Sequence, residues 1–170
     1  MIAIIGAKGT IPDIEHALKT INSFAEEHKI TVQLMDANMV FGKLHLQSAV
    51  DHALRAFERD ESISSSLAME ILLYASGEYQ IRVALDKMGL KSAEDEQHVA
   101  IVIVSDQESE KIITDLLSKL DLTQDDTVLD GDIEVLKRFG ISEAEINAIP
   151  PDKVGDLILE RVAMVDVKKK

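Results

Sequence analysis

"SSSLAMEILLYASGEYQIRVALDKMGL", Ser64 to Leu90, is too apolar for a surface helix and too often broken by charge for a membrane span. At 3.6 residues per turn, Ser66, Glu70, Tyr74 and Gly77 fall on one line. Leu67, Ala68, Met69, Ile71, Leu72, Leu73 and Ala75 cover the remaining surface, so this helix is expected to be buried on most sides with a single polar seam. Ser76 and Gly77 break it, and Ile81, Ala84, Leu85 and Met88 start a second helix with a one-sided core stripe. The pair predicts a bent helical hairpin laid beside a sheet. Its break, "SGEYQ", has two readings. In one, Gly77 is a left-handed C-cap and Glu78 a favourable first-turn acid. In the other, the free amides of a helix N-terminus, with Gln80, Arg82 and the Tyr79 ring, form a place for a nucleic-acid end.

Working outward, Ile2–Ile5 predicts a short buried strand, and Thr10 with Pro12 begins a helix reaching about His28, with Ile14, Ala17, Leu18, Ile21 and Ala25 on one face. "ITVQLMD" is a second strand. Residues 43–57 form an amphipathic helix through Leu46, Ala49, Val50, Ala53, Leu54 and Phe57. "HVAIVIVS" is a near-continuous β-branched run of the kind covered on both faces, and so a central strand. Ser105 with Glu108 predicts a capping box ahead of Ile112, Ile113, Leu116, Leu117 and Leu120. Asp132 to Phe139 is a short helix, Ser142 with Glu145 caps another, and Val154, Leu157, Ile158, Arg161 and Val162 line one side of a last helix. Residues 1–166 are expected to form one α/β domain, α+β-like in its helix dominance, with about eight helices. The basic tail 167–170 is expected to be disordered.

The 170 residues suit a single core, and the formal net charge of −13 opposes free-standing, tight binding of phosphates. That charge is uneven: residues 1–91 hold 9 basic and 12 acidic side chains, residues 92–170 hold 9 and 19, so a polyanion site belongs to the first half. Absence of cysteine removes thiolate catalysis, disulfides and sulfur ligands. "MIAIIGAKG" is too short for the apolar core of a signal peptide, and a soluble cytoplasmic protein that meets no membrane is expected.

Motifs of chemistry fail one by one. "GAKGT" matches neither the Walker nor the dinucleotide pattern and predicts a tight turn. His45 and His52 lie seven residues apart, about 10.5 Å along a helix, too far to hold one ion, and are expected to be solvated or hydrogen-bonded. "DAN" and "DGDIE" lack the glycine and closing glutamate of an EF-hand. No spacing singles out an acid–base pair, so neither enzyme activity, nor a metal, nor a cofactor is expected.

Leu34 to Lys91, "LMDANMVFGKLHLQSAVDHALRAFERDESISSSLAMEILLYASGEYQIRVALDKMGLK", resembles the kinase-binding small subunit of the archaeal and eukaryotic KEOPS complex. The resemblance rests on an L-x-D-A block, a helix with His and Ala, then E-I-L-L-Y-A-S-G-E before a Q-I pair, and extends to "LILERVAMVDV" at 157–167. It implies one α/β domain with a small mixed sheet. It also implies a non-catalytic regulatory role: binding and activating the small atypical kinase of a complex that makes threonylcarbamoyladenosine on tRNA, meeting the other subunits indirectly, and holding the tRNA 3′ end. Carried over, the motif implicates Glu70, Gly77, Tyr79, Gln80 and Arg82 at the RNA end, with Lys8 and Lys43 as further phosphate candidates. The family usually has Arg where this chain has Tyr79, an aromatic that can stack on a terminal base. The kinase-binding helix corresponds to Val154, Leu157, Ile158, Arg161 and Val162, a stripe that serves either a partner or the domain's own core. The competing reading is a small α/β metabolite-binding protein or enzyme, with a pocket between the hairpin and the first turn using Lys8 and Glu70. A third is a scaffold that never touches RNA.

Overall fold

The computed structural model describes residues 1–108 and 110–170. The chain opens with β1 (Ile2–Gly9), α1 (Ile14–His28) and β2 (Thr31–Asp36), a strand–helix–strand crossover that returns the second strand in the direction of the first. The two strands do not pair with each other. Between them lies β3 (Gln97–Val104), antiparallel to both, and the two-residue β4 (Thr123–Gln124) extends the far side of β1 to give the order β2-β3-β1-β4. Every strand pairing is thus antiparallel, which corrects the expected mixed sheet while leaving the α+β class intact. The crossover does make β1 and β2 run parallel, but it leaves a one-strand gap that β3 fills from the opposite direction.

The β-branched run is the middle of this sheet, as its composition predicts. Val99, Ile101 and Ile103 enter one core with Ala17, Ile21 and Phe24 of α1 and Leu116, Leu117 and Leu120 of α5 (Glu110–Leu120). Ala100 and Val102, pointing the other way, enter a second core against α2 (Gly42–Glu58), α3 (Leu67–Ser76) and α4 (Ile81–Met88). The later helices α6 (Ile133–Arg138), α7 (Glu143–Asn147) and α8 (Gly155–Ala163), with α9 (Val165–Lys168), close that second core through Val135, Leu136, Ile146, Ile158, Val162 and Val165.

Three local expectations are revised. "GAKG" is strand, not turn: a Cβ on Gly6 would stand 2.5 Å from the Asp125 carbonyl oxygen, so the glycine admits the neighbouring chain after β4. The first helix is capped by Asp13, whose carboxylate accepts from the His16 amide at 3.1 Å. The capping box expected from Ser105 and Glu108 gives way to a local turn, Gln107 N–H to Ser105 Oγ at 3.1 Å, before α5 begins at Glu110. By contrast, the Ser142–Glu145 capping box is formed in both directions.

The basic tail also departs from expectation. It continues as helix through Lys168 because its ends have partners: Lys168 Nζ donates to the Gly77 carbonyl at 3.2 Å and Lys169 Nζ to the Glu61 carbonyl at 2.9 Å. No helix among the described residues is long and apolar enough to cross a membrane.

Candidate binding surface

The polar seam of α3 is occupied from within. Ser66 caps the helix, its Oγ accepting from the Met69 amide at 3.3 Å. One turn on, Glu70 is fully buried, and its carboxylate accepts from the Ile63 amide at 3.0 and 3.1 Å and from the Ser64 amide at 2.8 Å. A buried carboxylate is tolerable only when its lone pairs are met, and here they hold the loop that leads into the helix. Another turn on, the buried Tyr74 donates its hydroxyl to the Asp166 carboxylate and accepts from Lys169 Nζ at 2.8 Å. Asp166 also takes the Nδ1–H of His52 at 2.9 Å, and the His52 and Tyr74 rings stack with centroids 5.3 Å apart. Burial pushes the Tyr74 phenol well above its ordinary range, and the carboxylate beside it adds to the effect. For Asp166, burial opposes ionisation, but the hydrogen bonds from Tyr74 and His52 outweigh it and leave the carboxyl below its usual range.

The helix then ends on Gly77 in the left-handed conformation (φ 72°), where a Cβ would lie 3.4 Å from the Arg161 carbonyl oxygen. His45 ties this end to α2: its Nε2–H donates to the Ala75 carbonyl at 2.8 Å while Nδ1 accepts from the Phe41 amide at 3.0 Å. Burial lowers the His45 pKa to about 4, Lys87 adds to the lowering, and the Ala75 bond opposes it. The ring is therefore neutral, and its tautomer is set by its two partners.

Beyond Gly77 the character changes. Glu78 turns back to Lys87 at 3.2 Å, and Lys87 Nζ sits 4.4 Å above the Phe139 ring. Burial lowers the Lys87 pKa, and the nearby Lys168 and Arg161 add to the lowering against the pull of Glu78. Tyr79 is 42% exposed, and Gln80 and Arg82 are exposed beside it. Gln80 stands at the N-cap of α4 without a side-chain cap bond, so the first amides of that helix open towards the same surface. Ile81, Val83 and Leu85 are exposed as well, and only Ala84 and Met88 enter the core, which narrows the expected stripe of α4 to its inner half.

The expected RNA-end residues therefore separate. Tyr79, Gln80 and Arg82 lie together on the surface, whereas Glu70 and Gly77 are buried and already engaged. Lys8 and Lys43 are paired with consecutive acids, Lys8 Nζ to Asp125 at 2.9 Å and Lys43 Nζ to Asp126 at 3.1 Å. The Asp125 contacts raise the Lys8 pKa. Lys8 and Glu70, expected to share a pocket, are engaged separately, one tied to the turn after β4 and the other to the loop before α3.

The expected kinase stripe is corrected in the same way. Ile158 and Val162 are fully buried, Val154 and Leu157 are packed against the same core, and Arg161 reaches Glu145 at 3.2 Å. The stripe is the inner face of α8. Met164 and Val167, the latter 61% exposed, stand outside the core. Sequence reasoning missed Asp166, Lys168 and Lys169 as organisers. The available signal was the buried Tyr74 hydroxyl, which needs a polar partner.

Among the described residues no group of three or more His, Cys, Asp or Glu side chains is arranged to hold a metal ion. The domain thus holds His45, His52, Glu70 and Asp166 in internal contacts and presents an exposed mixed apolar and cationic segment just beyond α3. It belongs to the family described as kinase binding protein CGI-121, whose model matches residues 11–166. A similar protein, described as regulatory protein Cgi121 of Methanocaldococcus jannaschii, is 28% identical over 143 residues, covering 81% of this chain and 84% of that one.

Proposed function

We propose that this protein is a non-catalytic cytoplasmic subunit that binds and activates the small atypical kinase of a KEOPS complex, and that it helps hold the tRNA 3′ end during threonylcarbamoyladenosine modification. Membership of a kinase-binding family supports the regulatory part, as does the regulatory description of the M. jannaschii relative. The observation that carries the RNA part is the exposed stretch Tyr79-Gln80-Ile81-Arg82, which runs into the first turn of α4. It combines a ring and an aliphatic side chain for base contact, a guanidinium for a phosphate and first-turn amides that the Gln80 side chain does not cap. A net charge of −13 makes this contact weak alone, so partner subunits supply most of the phosphate neutralisation. For the kinase, the C-terminal segment offers Met164 and Val167 on its outward side and the partly exposed Val154 at its start.

Calorimetric titration of this chain into the KEOPS kinase of the same organism, with ATP hydrolysis followed in parallel, tests the regulatory part. One-to-one binding with raised hydrolysis is expected; neither heat nor stimulation overturns it. For the RNA part, Tyr79→Ala combined with Arg82→Glu should release tRNA from the assembled complex while leaving kinase binding unchanged. Undiminished tRNA retention would remove the loop from the site.

A further inference from the structure

A groove of about 430 Å³ lies between the turn at Phe41, helices α6 and α7, and the start of α8. Leu136 and Ile146 form its floor and belong to the buried core, while Phe41, Ile133, Ile149 and Val154 form its walls. The walls are held in place. A Cβ on Gly131 would stand 2.9 Å from Phe41 Cα and one on Gly155 would stand 3.3 Å from the Phe41 ring, so two close approaches clamp that residue. Ile133, the first residue of α6, is nonetheless 49% exposed on the edge of the groove. With Phe41, Ile149 and Val154 it forms a contiguous apolar lining, the kind of exposed patch that marks a contact surface where a lone isoleucine would not.

Charge decides what fits. Asp132 lines the groove, Glu134 and Asp152 adjoin its lining residues, and residues 125–160 carry ten acidic against three basic side chains. A second copy of this chain, with its own charge of −13, would set one acidic rim against another. A nucleic acid would be repelled for the same reason. The complementary occupant is a polypeptide segment with an apolar side chain for the groove and lysine or arginine on either side.

We infer that this segment belongs to the partner kinase. The inference rests on the kinase-binding reading and locates an anchor for it. Val154, the half-buried first residue of the stripe, both packs against the core and walls the groove, so the start of α8 is continuous with it.

Calorimetry with the intact chain and the kinase of the same organism tests this. Ile133→Glu should weaken binding at least about tenfold, and Ile133→Leu should restore it. Asp152→Lys should weaken it about threefold in low salt, a difference that shrinks in about 0.5 M salt. Urea unfolding of each variant confirms that the fold is intact. Wild-type affinity in both Ile133→Glu and Asp152→Lys overturns the groove while leaving kinase binding standing. A wild-type chain that fails to bind the kinase overturns the reading beneath it. A wild-type dimer, seen by sedimentation and abolished by Ile133→Glu, would assign the groove to self-association and overturn the inference as well.

Discussion

The α3 seam and the loop that follows it differ in one respect that separates architecture from availability. Along Ser66, Glu70 and Tyr74 each polar side chain meets a partner from its own chain: a helix amide, two loop amides, or the Asp166–Lys169 end. Three and five residues past Gly77 the same motif places Gln80 and Arg82 in solvent. A continuous sequence motif thus holds two kinds of residue. The buried half builds the hairpin, and only the exposed half is free to meet a ligand.

The largest break in this contrast should come from Glu70→Ala. It leaves the Ile63 and Ser64 amides without their carboxylate and should cost about 3 kcal/mol in urea unfolding. An unchanged midpoint would mean that the seam is not structural. Next is pH, acting through His45. Its folded pKa, about 4, lies below the ordinary 6.5, so the unfolded chain takes up the proton first. The stability tied to the neutral ring is complete above pH 6.5 and drains as pH falls towards 4. Between pH 7 and 5 the loss should be about 2 kcal/mol. His45→Gln should flatten this part of the curve; an identical pH slope in that variant would refute it.

Tyr74→Phe keeps the ring against His52 and removes the hydroxyl between Asp166 and Lys169. It should cost about 1.5 kcal/mol and speed hydrogen exchange in residues 165–168. Exchange confined to other segments would disconnect the seam from the C-terminal helix. Smallest of all is the effect of Tyr79→Ala with Arg82→Ala on stability, within about 0.5 kcal/mol. A larger loss, read by thermal unfolding, would place the loop with the architecture after all.

Much of this was legible. The alternation-free β-branched run 98–105 correctly announced a strand covered on both faces, and the apolar completeness of Leu67–Ala75 announced a buried helix with one seam. Strand direction was not legible, because a crossover helix shows that two strands run parallel and says nothing about what lies between them. The C-terminal stripe at 154–162 was ambiguous for a related reason. An apolar face has the same periodicity whether it meets its own domain or another protein, and the deciding contacts come from β-strand and helix partners distant in the chain. The internal role of Glu70, which the family resemblance placed at the RNA end, was not legible because carboxylates that bind loop amides are indistinguishable in sequence from those that face solvent.

The strand order also sets a timetable for synthesis. Neither β1 nor β2 has a neighbour until β3 exists, and β3 is encoded about sixty residues after β2 ends. While the ribosome works through α2, α3 and α4, two strands emerge with both ladders of hydrogen-bonding groups open and the most apolar helix of the chain has no sheet to lie on. The sheet cannot close until Val104 has arrived, and until then the open strand edges and the apolar helix lack the partners that cover them in the finished fold.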